Sequence, residues 1–210
     1  MNLSSSEEKR SDTYLRILDA AANVFSEAGF SGARMDEIAD RAGVNKAMIY
    51  YHIGDKETLY AEVISNVIGN TAETIAREIQ DVQDPEEKLR IYIRTVARNI
   101  DINPQVAPIV MREVASGGKH LPEVVARDIF RIVGMLRGIL QDGADQGLFH
   151  DTIPFLIHIM VIGAIITYKT SAPIRTRYEW LPPAIRNLDD KISGDIAREI
   201  EKLILKAVKK

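Results

Sequence analysis

The chain contains no cysteine, which excludes disulfide frameworks and thiolate metal sites and fits a reducing, cytoplasmic setting. It also lacks a dominant charge: 27 Lys and Arg against 30 Asp and Glu leave a net of −3, so bulk charge predicts no acidic partner. No apolar leader opens the sequence, and residues 1–12, "MNLSSSEEKRSD", read as a flexible polar arm. The most apolar stretch, 153–168, is 16 residues long, begins "IPF" and carries His158 inside. That is short for a bilayer span, so a buried helix is expected and no membrane partner. The four histidines, at 52, 120, 150 and 158, never fall three or four apart, so no metal site is expected.

Catalytic signatures are missing too. No nucleophile elbow or dinucleotide fingerprint occurs. The loop "SGGKH" at 116–120 fails as a phosphate loop, because Glu113 stands where glycine is required and His120 replaces the Ser or Thr that would hold magnesium. No cofactor, catalytic residue or enzymatic activity is expected.

Helical periodicity is what the sequence does contain. Tyr14, Ile17, Leu18, Ala21, Val24, Phe25 and Ala28 form one stripe of three- and four-residue steps, stopped by Gly29. A short second helix, "MDEIADRA", presents Met35, Ile38, Ala39 and Ala42 inward. In "GVN", Gly43 can take a positive φ and Asn45 can cap a third helix at 46–52. Gly54 ends that helix, and Asp55 can cap a fourth, 56–80, which at 1.5 Å per residue spans roughly 37 Å. Further helices are expected at about 85–101, 105–116, 122–145, 152–171 and 192–208. The connection at 172–191 is long for a compact domain and is either functional or holds a short helix. Its Trp180, in "YEWLPP", reads as a loop anchor. The fold class is all-α.

Two short helices joined by a glycine-containing turn match a helix-turn-helix, whose second helix enters the DNA major groove. At about 100° per residue, Ile49 and Ile53 of the third helix pack inward, Ala47 and Tyr51 point outward, Lys46 and Tyr50 share one flank, and Met48 takes the other. Small Ala47 allows close approach to base edges, Lys46 can reach guanine or a phosphate, and Met48 can touch a thymine methyl. Tyr50, His52 and Lys56 can bond phosphate oxygens, which sets register without reading sequence. Against this, residues 1–60 hold seven Lys and Arg and ten Asp and Glu, so any attractive patch is local. A helical carrier or enzyme, or a dimeric interaction protein without DNA binding, are the competing classes.

The run "ILDAAANVFSEAGFSGARMDEIADRAGVNKAMIYYHIGDKETLY" strongly resembles the N-terminal domain of the TetR family of transcriptional repressors. The matching features are the close of helix one, "IA..AGV", "YYH" and the Lys-Glu-x-Leu that opens helix four. The resemblance implies a three-helix DNA-binding domain at 13–58 and a helical ligand-binding and dimerisation domain at 59–210. It implies DNA contacts from Asn45, Lys46, Ala47, Met48, Tyr50, Tyr51, His52 and Lys56. Arg34 stands where the family often has a capping Thr or Ser; losing that hydroxyl costs the second helix up to ~1 kcal/mol, while Arg34 itself can reach a phosphate. Ile53 replaces a frequent Phe.

The partners implied are a palindromic double-stranded DNA operator, a largely apolar small-molecule effector, and a second copy joined through the helices at about 152–171 and 192–208. Both of those helices are richly apolar. Candidate effector contacts are Val96, Ile100, Met111, Val114, Phe130, Val133, Phe155, His158 and Ile162. Each also reads as ordinary core, and His158 most of all as a satisfied core histidine. Arg112 and Glu113 are expected to pair internally.

Overall fold

A computed structural model describes residues 5–192 and 195–210, with side chains from residue 11 onward. All of its regular elements are helices: α1 Ser5–Gly32, α2 Met35–Ala42, α3 Lys46–His52, α4 Lys56–Ile79, α5 Pro85–Ile102, α6 Val106–Ala115, α7 Glu123–Asp145, α8 Pro154–Thr170, α9 Ala172–Arg177, α10 Pro183–Arg186, α11 Leu188–Lys191 and α12 Ile196–Val208. Residues 5–12 lie in α1 rather than in a separate arm, and residues 1–4 lie outside the described residues. α1 breaks where expected, at Gly29, whose φ of 68° is open to glycine and strained for other residues.

The helices group into two compact units. The first holds residues 1–69 and 104–127, the second 70–103 and 128–210. The first is therefore larger than the 13–58 expected for a minimal DNA-binding domain, because α6 packs on α1. Arg112 of α6 donates to the Ser26 and Glu27 carbonyls at 3.3 and 2.8 Å, closing the end of α1. Glu113, buried, accepts from the Tyr60 hydroxyl of α4 at 2.6 Å and from the His120 N–H at 3.1 Å. Burial and this carboxylate push the Tyr60 phenol well above its ordinary pKa. Arg112 and Glu113 are thus both satisfied inside the unit, though not by each other.

The second unit is built from α5, α8 and α12 packed pairwise. Two of its arginines converge on buried Glu201 of α12, which accepts from Arg90 and from Arg94 Nε at 2.8 Å, both on α5. The C-terminal end of α12 pairs with the α7–α8 loop: the His150 N–H reaches the Val208 carbonyl at 2.7 Å, and Phe149 is fully buried.

Two expectations are corrected here. α8 is not a buried helix: Ile157, Val161, Ile165 and Ile166 face inward, but Phe155, Leu156, Ile159 and Met160 are 45–50% exposed. The stretch Pro154–Arg177 is long and apolar enough to cross a membrane by length and composition, with 28% of its most apolar window buried. The cause is its all-round apolar sequence, which covers more than one face. Trp180 is not a loop anchor: it is 76% exposed, and among the described residues the one aromatic ring it meets is that of Tyr178, 5.7 Å away. The connection that carries it folds into α9, α10 and α11, held by buried Arg175, which donates to the Tyr168 carbonyl, the Ser171 hydroxyl and Asp189.

Two glycines of α7 give opposite expectations. A Cβ at Gly143 would run into the Phe149 ring, whereas one at Gly138 meets nothing within 4 Å. Gly143→Ala should cost about 1–3 kcal/mol, and Gly138→Ala should stabilise by up to about 1 kcal/mol, measured by urea denaturation.

Candidate nucleic-acid interface

α2, the turn and α3 are set by local chemistry. Met35, Ile38, Ala39 and Ala42 all bury, as the spacing predicts. Gly43 takes the left-handed conformation at φ 65°, and its N–H and that of Val44 return to the last α2 carbonyls. Asn45 is extended, and its Oδ1 accepts from the Met48 N–H at 2.9 Å, capping α3. α3 then buries Ile49 completely, while Ile53, its C-cap, is half-buried. Asp55 caps α4 by accepting from the Thr58 hydroxyl at 2.7 Å and the Thr58 N–H at 2.8 Å, which holds its carboxyl below the usual carboxylate range.

The outward face of α3 carries the residues expected there. Ala47 is exposed, Tyr51 is 66% and Tyr50 50% exposed, and Met48 and His52 are half-buried. The His52 ring meets the Tyr51 ring edge-on at 5.2 Å. Lys46 reaches back to Asp36 of α2 at 3.2 Å. Both side chains are largely exposed, so the pair is weak, screened by salt and open to exchange for a phosphate or base edge. Arg41 differs: it is forked onto Glu27 at 2.7–2.8 Å and Glu37 at 2.6 Å, a bracing contact that the sequence reading did not single out. Arg34 is the extended N-cap of α2 and makes no side-chain cap bond. Lys56 is half-buried, with Nζ 4.8 Å above the centre of the Phe30 ring.

The effector candidates are not gathered in the same way. Met111 and Val114 belong to the first unit and are 41% and 72% exposed. In the second unit Val96 and Ile100 are core, Val133 and Ile162 are half-buried, and Phe130 and Phe155 are 66% and 49% exposed. His158 is half-buried with Nδ1 2.7 Å from the hydroxyl of fully buried Tyr92. Burial pushes the imidazole pKa below its ordinary value and the phenol above, so the two meet as neutral groups sharing one hydrogen bond. The partner on Tyr92 lies 66 residues away in sequence, beyond the reach of local pattern.

An exposed short helix, capped at Asn45, carried on a helical pair and offering small, aromatic and cationic side chains, defines a helix-turn-helix DNA-binding module. Comparison with known proteins agrees. Residues 17–63 match the family model described as bacterial regulatory proteins, tetR family, and residues 85–175 match a tetracyclin repressor-like C-terminal domain. The HTH-type transcriptional repressor NicS of Pseudomonas putida is 29% identical over 198 residues, 92% of this chain and 91% of that protein. A linker-substituted variant of HlyIIR superposes with a TM-score of 0.72 at 25% identity, covering 96% of this chain and 97% of the other. FadR from Bacillus subtilis, solved in complex with stearoyl-CoA, gives 0.68 at 21% identity, with 91% and 97% covered. The chain belongs to the TetR family of DNA-binding transcriptional regulators.

The burial pattern predicts how α3 fails. Ile49→Ala should cost about 2–5 kcal/mol, whereas Tyr51→Ala, at an exposed position, should stay within about 0.5 kcal/mol. Thermal melts of the two variants check this, and a gel shift should show DNA capture lost in both.

Proposed function

We propose that this protein is a ligand-responsive, sequence-specific repressor that binds a palindromic operator as a homodimer and is released by a small-molecule effector. The observation that carries the reading is the fully buried Ile49 beneath an exposed Ala47–Tyr51 face, since a helix held from one side leaves the other for a major groove. In this reading Lys46, Ala47, Met48, Tyr50 and Tyr51 face base edges or the groove. Arg34, Tyr50, His52 and Lys56 hold phosphates, and Asn45 sets the α3 start. NicS is a repressor, which supports the sign of the regulation. A cytoplasmic site of action follows from the DNA partner.

The dimer reading is supported by Phe155, Leu156, Ile159 and Met160 on α8 and Leu203 on α12, all 45–66% exposed in a single copy. Residues this apolar gain most when a second copy covers them. α8 and α12 pack on each other within the second unit, so their exposed residues belong to neighbouring helices. Two copies then present two α3 helices to half-sites about one helical turn apart.

The effector reading rests on the second unit, which holds seven of the nine candidate contacts. B. subtilis FadR was solved with stearoyl-CoA, and an effector with a long apolar part matches the aliphatic character of the candidate contacts Val96, Ile100, Val133 and Ile162. α4 begins at Lys56 in the first unit and ends in the second, so a change imposed on its far half reaches the DNA contacts at its start. Near-complete release needs a differential affinity of about 5 kcal/mol between the two states.

Three measurements test these readings. Lys56→Ala should weaken binding to every duplex alike, whereas Lys46→Ala should also relax sequence preference; equal behaviour on operator and random DNA refutes the assignment. Leu156→Glu with Leu203→Glu should convert a dimer to a monomer by sedimentation, and an unchanged mass would overturn the dimer face. Titrating acyl-CoA thioesters of different chain length into a labelled operator complex should release the DNA in a chain-length-dependent way, and no release at any length removes that effector class.

A further inference from the structure

The loop between α6 and α7 lies outside the helix-turn-helix, yet it folds onto it. Gly117 and Gly118 both take left-handed φ values, 71° and 74°, and the turn they make sends the chain back against α1. The His120 ring stacks on Phe30 at 4.5 Å, its Nε2 lies 3.3 Å from the Ser31 hydroxyl, and its N–H is tied to Glu113. Lys56 Nζ is 4.8 Å from the same Phe30 ring. The imidazole and the Lys56 ammonium are therefore no farther apart than those two distances laid end to end. Lys119 precedes His120 and is exposed. It lines, with Glu57 at the start of α4 and Phe30, a groove of about 310 Å³.

The charge pattern of the first unit sharpens this. Arg16, Arg41, Lys46 and Arg127 are engaged with carboxylates, and Arg112 with the carbonyls that end α1. Among the described residues of that unit, the cations without an ion pair or carbonyl partner are Arg34, Lys56 and Lys119. Arg34 lies three residues beyond Ser31, and Lys56 sits on Phe30. The loop bearing Lys119 docks on Phe30 and Ser31 through His120. Residues 1–60 carry a net negative charge, so a phosphate backbone approaching this unit meets attraction only where cations are uncommitted.

We propose that the α6–α7 loop extends the DNA interface, with Lys119 as a phosphate contact beside Lys56 and His120 as the residue that pins the loop in place. The contact adds affinity without sequence preference, because a phosphate oxygen is the same at every base pair. The inference rests on the placement of Lys56 against DNA described above, and the two stand or fall separately in the following test.

Binding of the full-length protein to a selected operator and to a random duplex is measured across a salt series for wild type, Lys119→Ala, Lys119→Arg, Lys56→Ala and Lys202→Ala, a lysine of the second unit. Lys119→Ala should lower the log–log salt slope by about one and weaken both duplexes alike, with an unchanged melting temperature. Lys119→Arg should keep the wild-type slope, and Lys202→Ala should match wild type. A wild-type slope in Lys119→Ala overturns the contact, as does an equal drop in Lys202→Ala, which would mark a general charge effect, or a drop in Lys119→Arg. A slope lowered by Lys119→Ala and untouched by Lys56→Ala would remove the role of Lys56 alone. A wild-type protein with no salt-dependent binding would sink both.

Discussion

The exposed face of α3 depends on how one isoleucine is buried. α3 has seven residues, far below the length at which an isolated helix is stable in water. Its persistence is a tertiary effect. Ile49 is fully buried, Asn45 satisfies the Met48 N–H, and the Ile53 and Gly54 N–H groups return to the Ile49 carbonyl at 2.9 and 3.2 Å. One side chain and two caps thus fix a helix whose exposed positions Ala47, Tyr50 and Tyr51 carry little packing duty. That division lets Ala47, Tyr50 and Tyr51 be chosen for a partner rather than for a core.

The electrostatics follow the same separation of roles. Arg41 is forked between Glu27 and Glu37, from α1 and its own helix, and the two carboxylates raise its already high pKa further. It braces α2 against α1. Lys46 makes one exposed contact with Asp36, which shields the cation until something better placed arrives. Such a pair lowers the gain on binding DNA, since Asp36 must be left behind near phosphates. It also disfavours weak, indiscriminate attachment, a form of specificity built from repulsion.

The N-terminal elements were legible because their determinants are local. Met35, Ile38, Ala39 and Ala42 lie at helical spacing, Gly43 is the left-handed stop, and Asn45 and Asp55 cap the next turns. The helices beyond were also legible in position, with the ends of α5, α6 and α7 within about two residues of their expected limits. What local pattern did not reveal are pairings across long stretches of chain. Tyr60 meets Glu113 and Arg90 meets Glu201, and neither spacing announces the other. The face of α12 shows the limit from another side. Leu203 lies at helical spacing with Ile200 and Ile204, yet it is 66% exposed while Glu201 is buried, because two arginines of α5 compensate the carboxylate and no described residue of the same copy covers the leucine. Composition was similarly ambiguous for α8, where apolar residues on every face are compatible with burial, a membrane or a partner.

The exposed faces of α8 and the scarcity of uncommitted cations bear on one another through the proposed dimer. Among the side chains described in a single first unit, Arg34, Lys56 and Lys119 have no ionic partner, and the exposed α3 face adds mainly neutral side chains. Three phosphate contacts correspond to a shallow salt dependence, with a log–log slope of about −3, too few to hold an acidic protein on DNA at physiological salt. Coupling two copies through α8 and α12 doubles the number of phosphates neutralised. It also makes the second half-site contact intramolecular, where the effective concentration reaches about the millimolar range. Affinity then depends steeply on whether both α3 helices reach their grooves together. A protein with few uncommitted cations on its DNA-facing unit is consequently well suited to a switch, because a small change in the separation of the two copies' α3 helices removes half of its contacts at once.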